Sequence, residues 1–342
     1  MKRIAVIPNN SKDIGLVNTK RLVEFLNGKA EIYIDEAYSV LGLNVNYVAE
    51  SEILDNAEYL IVLGGDGTIL QRAAECAKRK IPVLGINLGK IGFMTEIEID
   101  DMEDAISKFL QDDFTVEKRM MMKAEIRKEN KIQFSFHALN DVVVSKVAGE
   151  KLIYMELSTD GVAVNRYTAD GLIIATPTGS TGYSISAGGP VVDPCMRLYV
   201  ATPICAHMLS VRSAVLSSNK DIRIKLDGEY GNADAVVTAD GDIQGYIKNA
   251  DEVIITESEY DFDAAYGKIN YAAEAGKLDE AHQALPERLT IACDIIKGKV
   301  SISRQMRPKW DIQVLKECGY ENVVCEENAQ EQIYGKKEIG RA

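Results

Sequence analysis

The chain changes its rhythm once, near residue 114, and that change limits the folds open to it. Before it, short apolar runs alternate with segments of helical period. "RIAVIP" predicts a strand, and "LVNTKRLVEFLNG" an amphipathic helix ended by Gly28. "EIYID" and the stronger "AEYLIVL" read as further strands, "ILQRAAECAKRK" as a helix and "IPVLGIN" as a buried strand. "DMEDAISKFLQDD" is a helix whose acidic start suits the positive end of its dipole. Strands alternating with helices imply βαβ units, hence an α/β, Rossmann-like domain with a mostly parallel sheet.

After the change the pattern is β-rich. "FTVEKRMMMKAEIRKE", "KIQFSFHALNDVVVSK", "KLIYMELSTDG" and "VAVNRYTADGLIIATP" carry repeated Asp-Gly and Asn turn chemistry, and strand patterns continue to about 260. The expectation is an all-β second domain. The division falls at 1–112, 113–264 and a tail at 265–342, with no Pro- or Ser-rich linker and no internal repeat. The tail holds the single tryptophan, Trp310, and reads as helical in part and loose at its end.

Composition narrows the function classes. A chain of 342 residues with 46% hydrophobic and 27% charged content has the make-up of a globular protein. No run of about 18 apolar residues is present to span a bilayer. The start, "MKRIAVIPNN", has no signal-peptide core, so a cytoplasmic location is expected. Six cysteines, at 76, 195, 205, 293, 318 and 325, form no C-x-x-C pair, which argues against a zinc ribbon or disulfide scaffold. With three histidines, 137, 207 and 282, no metal ligand set is expected. A net charge of −13 disfavours a nucleic-acid partner.

"VLGGDGTIL" joins a strand to a helix through a tight turn. Gly64, Gly65 and Gly67 are expected to open backbone angles closed to other residues and to let a ligand approach the main chain. The helix start directs N–H groups and positive dipole toward that ligand, and Thr68 adds a hydroxyl. The turn matches neither the P-loop nor G-x-G-x-x-G. Asp66 is the anomaly, because a phosphate nest gains nothing from a carboxylate. Either its side chain caps the helix, or it serves as a base, or a magnesium-linked group, beside a hydroxyl that attacks phosphorus.

A second motif, "YTADGLIIATPTGSTGYSISAGGPVV" at 167–192, runs from a buried strand into a loop of small hydroxyls and glycines. One aromatic, Tyr183, can stack on a ring, and Pro177 and Pro190 stiffen the ends. Composition alone also allows a long surface loop. Asn140 and Asp141 similarly allow an ordinary turn.

"GGDGT", "NDVVV" and "DGLIIATPTGSTGYSISAGGP", in that order and spacing, resemble the NAD kinases, as do "TPICAHMLSVRSAV" and "TADGD". The resemblance covers about 1–260. It implies an α/β domain and a β-sandwich-like domain with the active site between them, in a homodimer or homotetramer. It makes Asp66 the catalytic aspartate beside the 2′-hydroxyl of NAD's adenosine ribose, with Gly65, Gly67 and Thr68 facing phosphate. It gives Asn140 and Asp141 the adenosine ribose and base; Phe93, Thr181, Gly182 and Tyr183 the adenine; Asp170 and Ser186 the nicotinamide portion. ATP with Mg²⁺ is the implied donor; the sequence does not say whether inorganic polyphosphate also serves.

The sequence departs from the family pattern at three places. Gly182 replaces a commoner alanine, Ser213 a proline, and Thr168 a basic residue. His207 and Arg212 read as structural, His207 as a satisfied core residue. The reading is an ATP-dependent NAD kinase. A lipid kinase sharing "GGDGT" and a non-catalytic NAD sensor are the rivals; no basic amphipathic segment marks a membrane surface.

Overall fold

In a computed structural model, the described residues are 1–267 except 90, 91, 96, 130, 150, 208–211, 228–233 and 250. Residues 1–267 form one compact unit.

Among the described residues, the alternation in the first third produces five strands of three or more residues and three α-helices. They are β1 (Lys2–Pro8), α1 (Val17–Leu26), β2 (Ala30–Asp35), β3 (Asn46–Val48), β4 (Tyr59–Gly64), α2 (Asp66–Arg79), β5 (Val83–Asn87) and α3 (Met102–Leu110). All five strands run parallel in the order 3-2-1-4-5. β4 and β5 are almost wholly buried, which explains why their sequences are continuous apolar runs rather than alternating ones. α1 stops as expected: Asn27 caps it and Gly28 takes the left-handed φ of 73°.

The second part forms a sandwich. Strands Asp141–Lys146, Gly171–Ala175, Leu198–Ile204, Ala214–Ser217, Ala235–Ala239 and Asp242–Ile247 make an all-antiparallel sheet of six. Its inner residues Val142, Val144, Leu172 and Ile174 meet Met122, Ile126, Met155 and Leu157 of a facing sheet in one buried core.

That facing sheet is continuous with the parallel one. Strand Glu252–Gly267 pairs antiparallel with Phe114–Lys128, then runs parallel to β5 at Ala264 and Ala265. A register break between Glu257 and Asp261 lets one strand serve both neighbours. This strand carries three residues of the segment 265–342; the remainder of the predicted tail, 268–342 with Trp310, lies outside the described residues.

Candidate active site

The order 3-2-1-4-5 reverses direction between β1 and β4, and the crevice at the carboxyl ends of those strands is where open α/β sheets take ligands. The glycine turn leaves β4 there. The expected dihedral freedom is not what its glycines provide, because Gly64, Gly65 and Gly67 all avoid the left-handed region. Gly65 is fully extended, with φ −149° and ψ −178°. Close approach is the actual reason. A Cβ on Gly64 would sit 2.6 Å from Thr68 Oγ1, and one on Gly65 would sit 2.5 Å from Lys12 Nζ. Around Gly67 there is open space within 4 Å, so the first turn of α2 is bare.

Asp66 opens α2 but does not cap it; no side-chain cap bond exists at that helix start. Its carboxylate turns instead to the segment after β5. Oδ2 accepts the Phe93 N–H at 2.8 Å, while Oδ1 accepts the Met94 and Thr95 N–H groups and the Thr95 hydroxyl, each at 3.2 Å. Gly92 lies against the same carboxylate, where any Cβ would overlap it. Asp66 therefore fixes Phe93, a half-buried ring, beside the turn.

Thr68 is buried, and its Oγ1 accepts Asn9 Nδ2 at 2.9 Å, tying the turn to the end of β1. Asn9 Oδ1 in turn accepts the Ser11 N–H at 3.1 Å and the Lys12 N–H at 3.2 Å. Lys12 was missed by sequence reasoning. The signal was an Asn-Asn-Ser-Lys loop directly after a parallel strand, with no motif name attached to it.

The second motif is built on Asn140 and Asp141. Asp240, from "TADGD", is half-buried, and its carboxylate accepts the N–H groups of Leu139, Asn140 and Asp141 at 2.8, 2.7 and 3.1 Å. Thr176 N–H donates to the Asn140 carbonyl at 2.8 Å, and its hydroxyl to the Leu139 carbonyl at 2.5 Å. Gly179 packs so tightly on Asn140 that a Cβ would overlap its carbonyl. Gly182 faces both side chains: its would-be Cβ lies 3.6 Å from Asn140 Nδ2 and 3.9 Å from Asp141 Oδ2. The "PTGST" loop is thus a one-turn cover over the Asn-Asp pair, rather than a free surface loop. Tyr183, 48% exposed, starts the short helix Tyr183–Ser186, and Ser186 ends it exposed.

Two buried polar atoms here, Asn140 Oδ1 and Thr178 Oγ1, have no hydrogen-bond partner among the described residues. Native interiors seldom leave such atoms unsatisfied. Burial, and secondarily the Asp240 carboxylate, push the Asp141 carboxyl up to about 7. Burial raises Asp240 too, against the lowering effect of its three N–H bonds.

The two motifs meet through one apolar cluster. Ile69, Met94 and Leu139 are buried in it together. Their chain neighbours Thr68, Phe93 and Asn140 are each one residue away, about 3.8 Å along the backbone. Asp170 is not brought to this cluster. It sits at the far end of Gly171–Ala175 from Asp141, which pairs with Ala175, about 17 Å away at ~3.4 Å per residue. There it forms an ion pair with Lys146 at 2.7 Å. His207 is exposed, which overturns its reading as a core residue; its N–H donates to the Thr168 carbonyl at 2.8 Å.

A carboxylate-bearing glycine turn at the switch point, joined by a common core to an Asn-Asp pair with unused polar atoms beside it, is the layout of a phosphotransferase. Residues 7–114 match the ATP-NAD kinase N-terminal domain and residues 139–266 the ATP-NAD kinase C-terminal domain. The chain belongs to the NAD kinase family. It is 40% identical over 261 residues to the NAD kinase of Caldanaerobacter subterraneus subsp. tengcongensis, covering 75% of this chain and 91% of that one. It is 38% identical over 259 residues to that of Acetivibrio thermocellus, covering 75% and 89%. Among solved structures, an NAD kinase from Archaeoglobus fulgidus in complex with ATP superposes with a TM-score of 0.61 at 28% identity, over 83% of this chain and 99% of that one. Yeast NADH kinase complexed with NADH shares the fold, with a TM-score of 0.69 at 24% identity over 75% and 80%.

Proposed function

We propose that this chain transfers the terminal phosphoryl group of ATP to the 2′-hydroxyl of the adenosine ribose of NAD, giving NADP. The observation that carries the reading is that Ile69 of the turn's helix and Met94 of the segment held by Asp66 share one buried cluster with Leu139, which leads into the Asn140–Asp141 pair. A phosphorylated ribose needs both: a group to take the hydroxyl proton and groups to hold the sugar.

Asn140 Oδ1 and Thr178 Oγ1 supply unused hydrogen-bonding capacity for the adenosine. Tyr183 and Phe93 offer the flat faces an adenine needs. Thr181, Gly182 and Ser186 line the cover. Gly64, Gly65, Gly67 and Thr68 bring bare main chain and the start of α2 to the donor phosphates. Asp66 Oδ2 accepts one hydrogen bond among the described residues and keeps a lone pair for the proton. As the 2′-oxygen bonds to phosphorus, the phosphorus–oxygen bond to the leaving ADP breaks and the proton passes to Asp66.

No group of three or more His, Cys, Asp or Glu side chains able to hold a metal occurs among the described residues. Mg²⁺ would enter with the donor's phosphates, whose charge it would offset. Asp170, at the distant end of its strand, reaches the nicotinamide half only from a second copy, so a homo-oligomer completes the site. The protein works in the cytoplasm; no helix among the described residues is long and apolar enough to cross a membrane.

The test incubates purified protein with NAD, ATP and Mg²⁺ and measures NADP; no product above blank removes the reading. The relatives named NAD kinase, and the A. fulgidus enzyme's complex with ATP, support it.

A further inference from the structure

Tyr183 is the exposed ring of the cover over the Asn-Asp pair. Among the described residues its hydroxyl has no hydrogen-bond partner, and no aromatic ring or cation lies against it. The place of the ring is therefore set by the backbone of Tyr183–Ser186, a helix of four residues. So short a helix does not hold its own shape in water and needs a tertiary anchor. Its one buried residue is Ser184.

Ser184 Oγ lies 2.9 Å from Thr202 Oγ1, with both residues fully buried, so one hydroxyl donates to the other. Gly189 closes over the pair. A Cβ there would overlap Ser184 Oγ and sit 2.7 Å from Thr202 Oγ1, and the Gly189 N–H donates to the Ser184 carbonyl at 2.8 Å. Thr202 belongs to strand Leu198–Ile204 and shares a face with Leu198 and Val200. Those two pack with Val143, Ile173 and Ala175 in an apolar cluster, and Ile173 is the cross-strand partner of Thr202. Valine has the shape of threonine and would suit this face better by burial alone. The hydroxyl serves the single side-chain bond it makes among the described residues.

The front of the cover is anchored separately. Ser180 Oγ donates to the Pro177 carbonyl at 2.6 Å and accepts the Val192 N–H at 3.1 Å. Thr176 ties the same half to Leu139 and Asn140. None of these bonds reaches Tyr183–Ser186. Gly182 separates the halves with φ −89° and ψ −122°, outside the helical region. Loss of the Ser184–Thr202 bond thus frees the ring-bearing helix and leaves the Asn140–Asp141 pair as it is.

We infer that Thr202 is a positioning residue for the phosphoryl acceptor: through Ser184 it holds the Tyr183 ring at the angle from which it meets the adenine of NAD. This rests on the kinase reading above and adds to it a residue that acts through Tyr183 rather than by contact.

The experiment measures KM for NAD, KM for ATP and kcat in Thr202→Val, Tyr183→Ala and the double variant. Amide hydrogen exchange is followed on the same proteins without substrate. Thermal melting checks folding; if Thr202→Val does not fold, Ser184→Ala removes the same bond from the other side. Thr202→Val is expected to raise KM for NAD about 5-fold, with KM for ATP and kcat within about 2-fold of wild type. In the Tyr183→Ala background the same change should move KM for NAD less than about 2-fold, because the ring through which it acts is gone. Thr202→Ser keeps the hydroxyl and should behave as wild type. Exchange should quicken at residues 183–189 and stay unchanged at 139–141. Wild-type KM for NAD in Thr202→Val, or the same factor in both backgrounds, overturns the positioning role while NADP formation still stands. Absence of NADP from the wild-type protein removes the kinase reading instead. In that case quicker exchange at 183–189 upholds the anchor, and unchanged exchange there overturns it.

Discussion

The Asp240 carboxylate accepts the Asn140 main-chain N–H at 2.7 Å across 100 residues of chain, and accepts its two neighbours' N–H groups as well. The Asn-Asp pair is thus shaped by a residue from a distant part of the chain. Asp240→Ala leaves three enclosed N–H groups without acceptors, each worth ~1–3 kcal/mol, partly recovered if water enters. The expected loss is about 3 kcal/mol in urea unfolding, with KM for NAD raised about 10-fold. A variant with wild-type KM for NAD would show that the pair holds its shape without this clasp.

Asp141 gives the site a pH signature. Its carboxyl is pushed up to about 7 in the folded protein, chiefly by burial, while the unfolded chain has an ordinary aspartate near ~3.9. The folded state holds the proton more tightly, so the stability this residue contributes is fully present below pH ~4. It is lost as pH rises through about 7. Asp141→Asn removes that dependence. The stability difference, variant minus wild type, should therefore grow from pH 5 to pH 8, by up to a few kcal/mol, in paired urea titrations. A flat difference would contradict the raised value.

Two glycines of the cover loop separate fold from tuning. At Gly179 a methyl overlaps the Asn140 main chain, which cannot withdraw; Gly179→Ala should cost about 3 kcal/mol or prevent folding. At Gly182 the nearest atoms are the Gly179 carbonyl at 3.3 Å, Asn140 Nδ2 at 3.6 Å and Asp141 Oδ2 at 3.9 Å. Those are distances a methyl accepts with a small adjustment. Gly182→Ala should melt within a few degrees of wild type and keep KM for NAD within about 3-fold. Equal damage from both substitutions would mean that the loop is not seated as described.

Local signals made the elements legible, and non-local pairing made the rest opaque. The apolar run "LIVLG" and the helix pattern after it announce β4 and α2 without ambiguity. Nothing local in "YDFDAAYG" says that its strand re-enters the parallel sheet beside β5, because register across 180 residues leaves no pattern in a short window. Of the two reasons the sequence offers for the glycines of the turn, positive φ does not apply; packing against Thr68 accounts for Gly64, and Gly67 leaves the main chain open. Lys12 itself is invisible in isolation, since an exposed lysine in a polar loop is the commonest of surface features. Asp170 was legible as special, yet its placement away from Asp141 depends on strand register alone.

Asp66 is both a clasp and the proposed base, and the two duties can be separated. Asparagine at this position would set an amide N–H against either the Phe93 N–H or the Thr95 donors, so the 93–95 turn would loosen as well. Asp66→Asn should lower kcat by ~10²–10⁴-fold, the range for losing a positioned proton acceptor, and should also raise KM for NAD through Phe93. Thr95→Val removes one bond to Oδ1 and leaves the carboxylate intact. If proton transfer is the larger duty, Thr95→Val should change kcat less than 10-fold. An Asp66→Asn enzyme that keeps kcat and loses only affinity would assign Asp66 to holding the turn, with the proton going elsewhere.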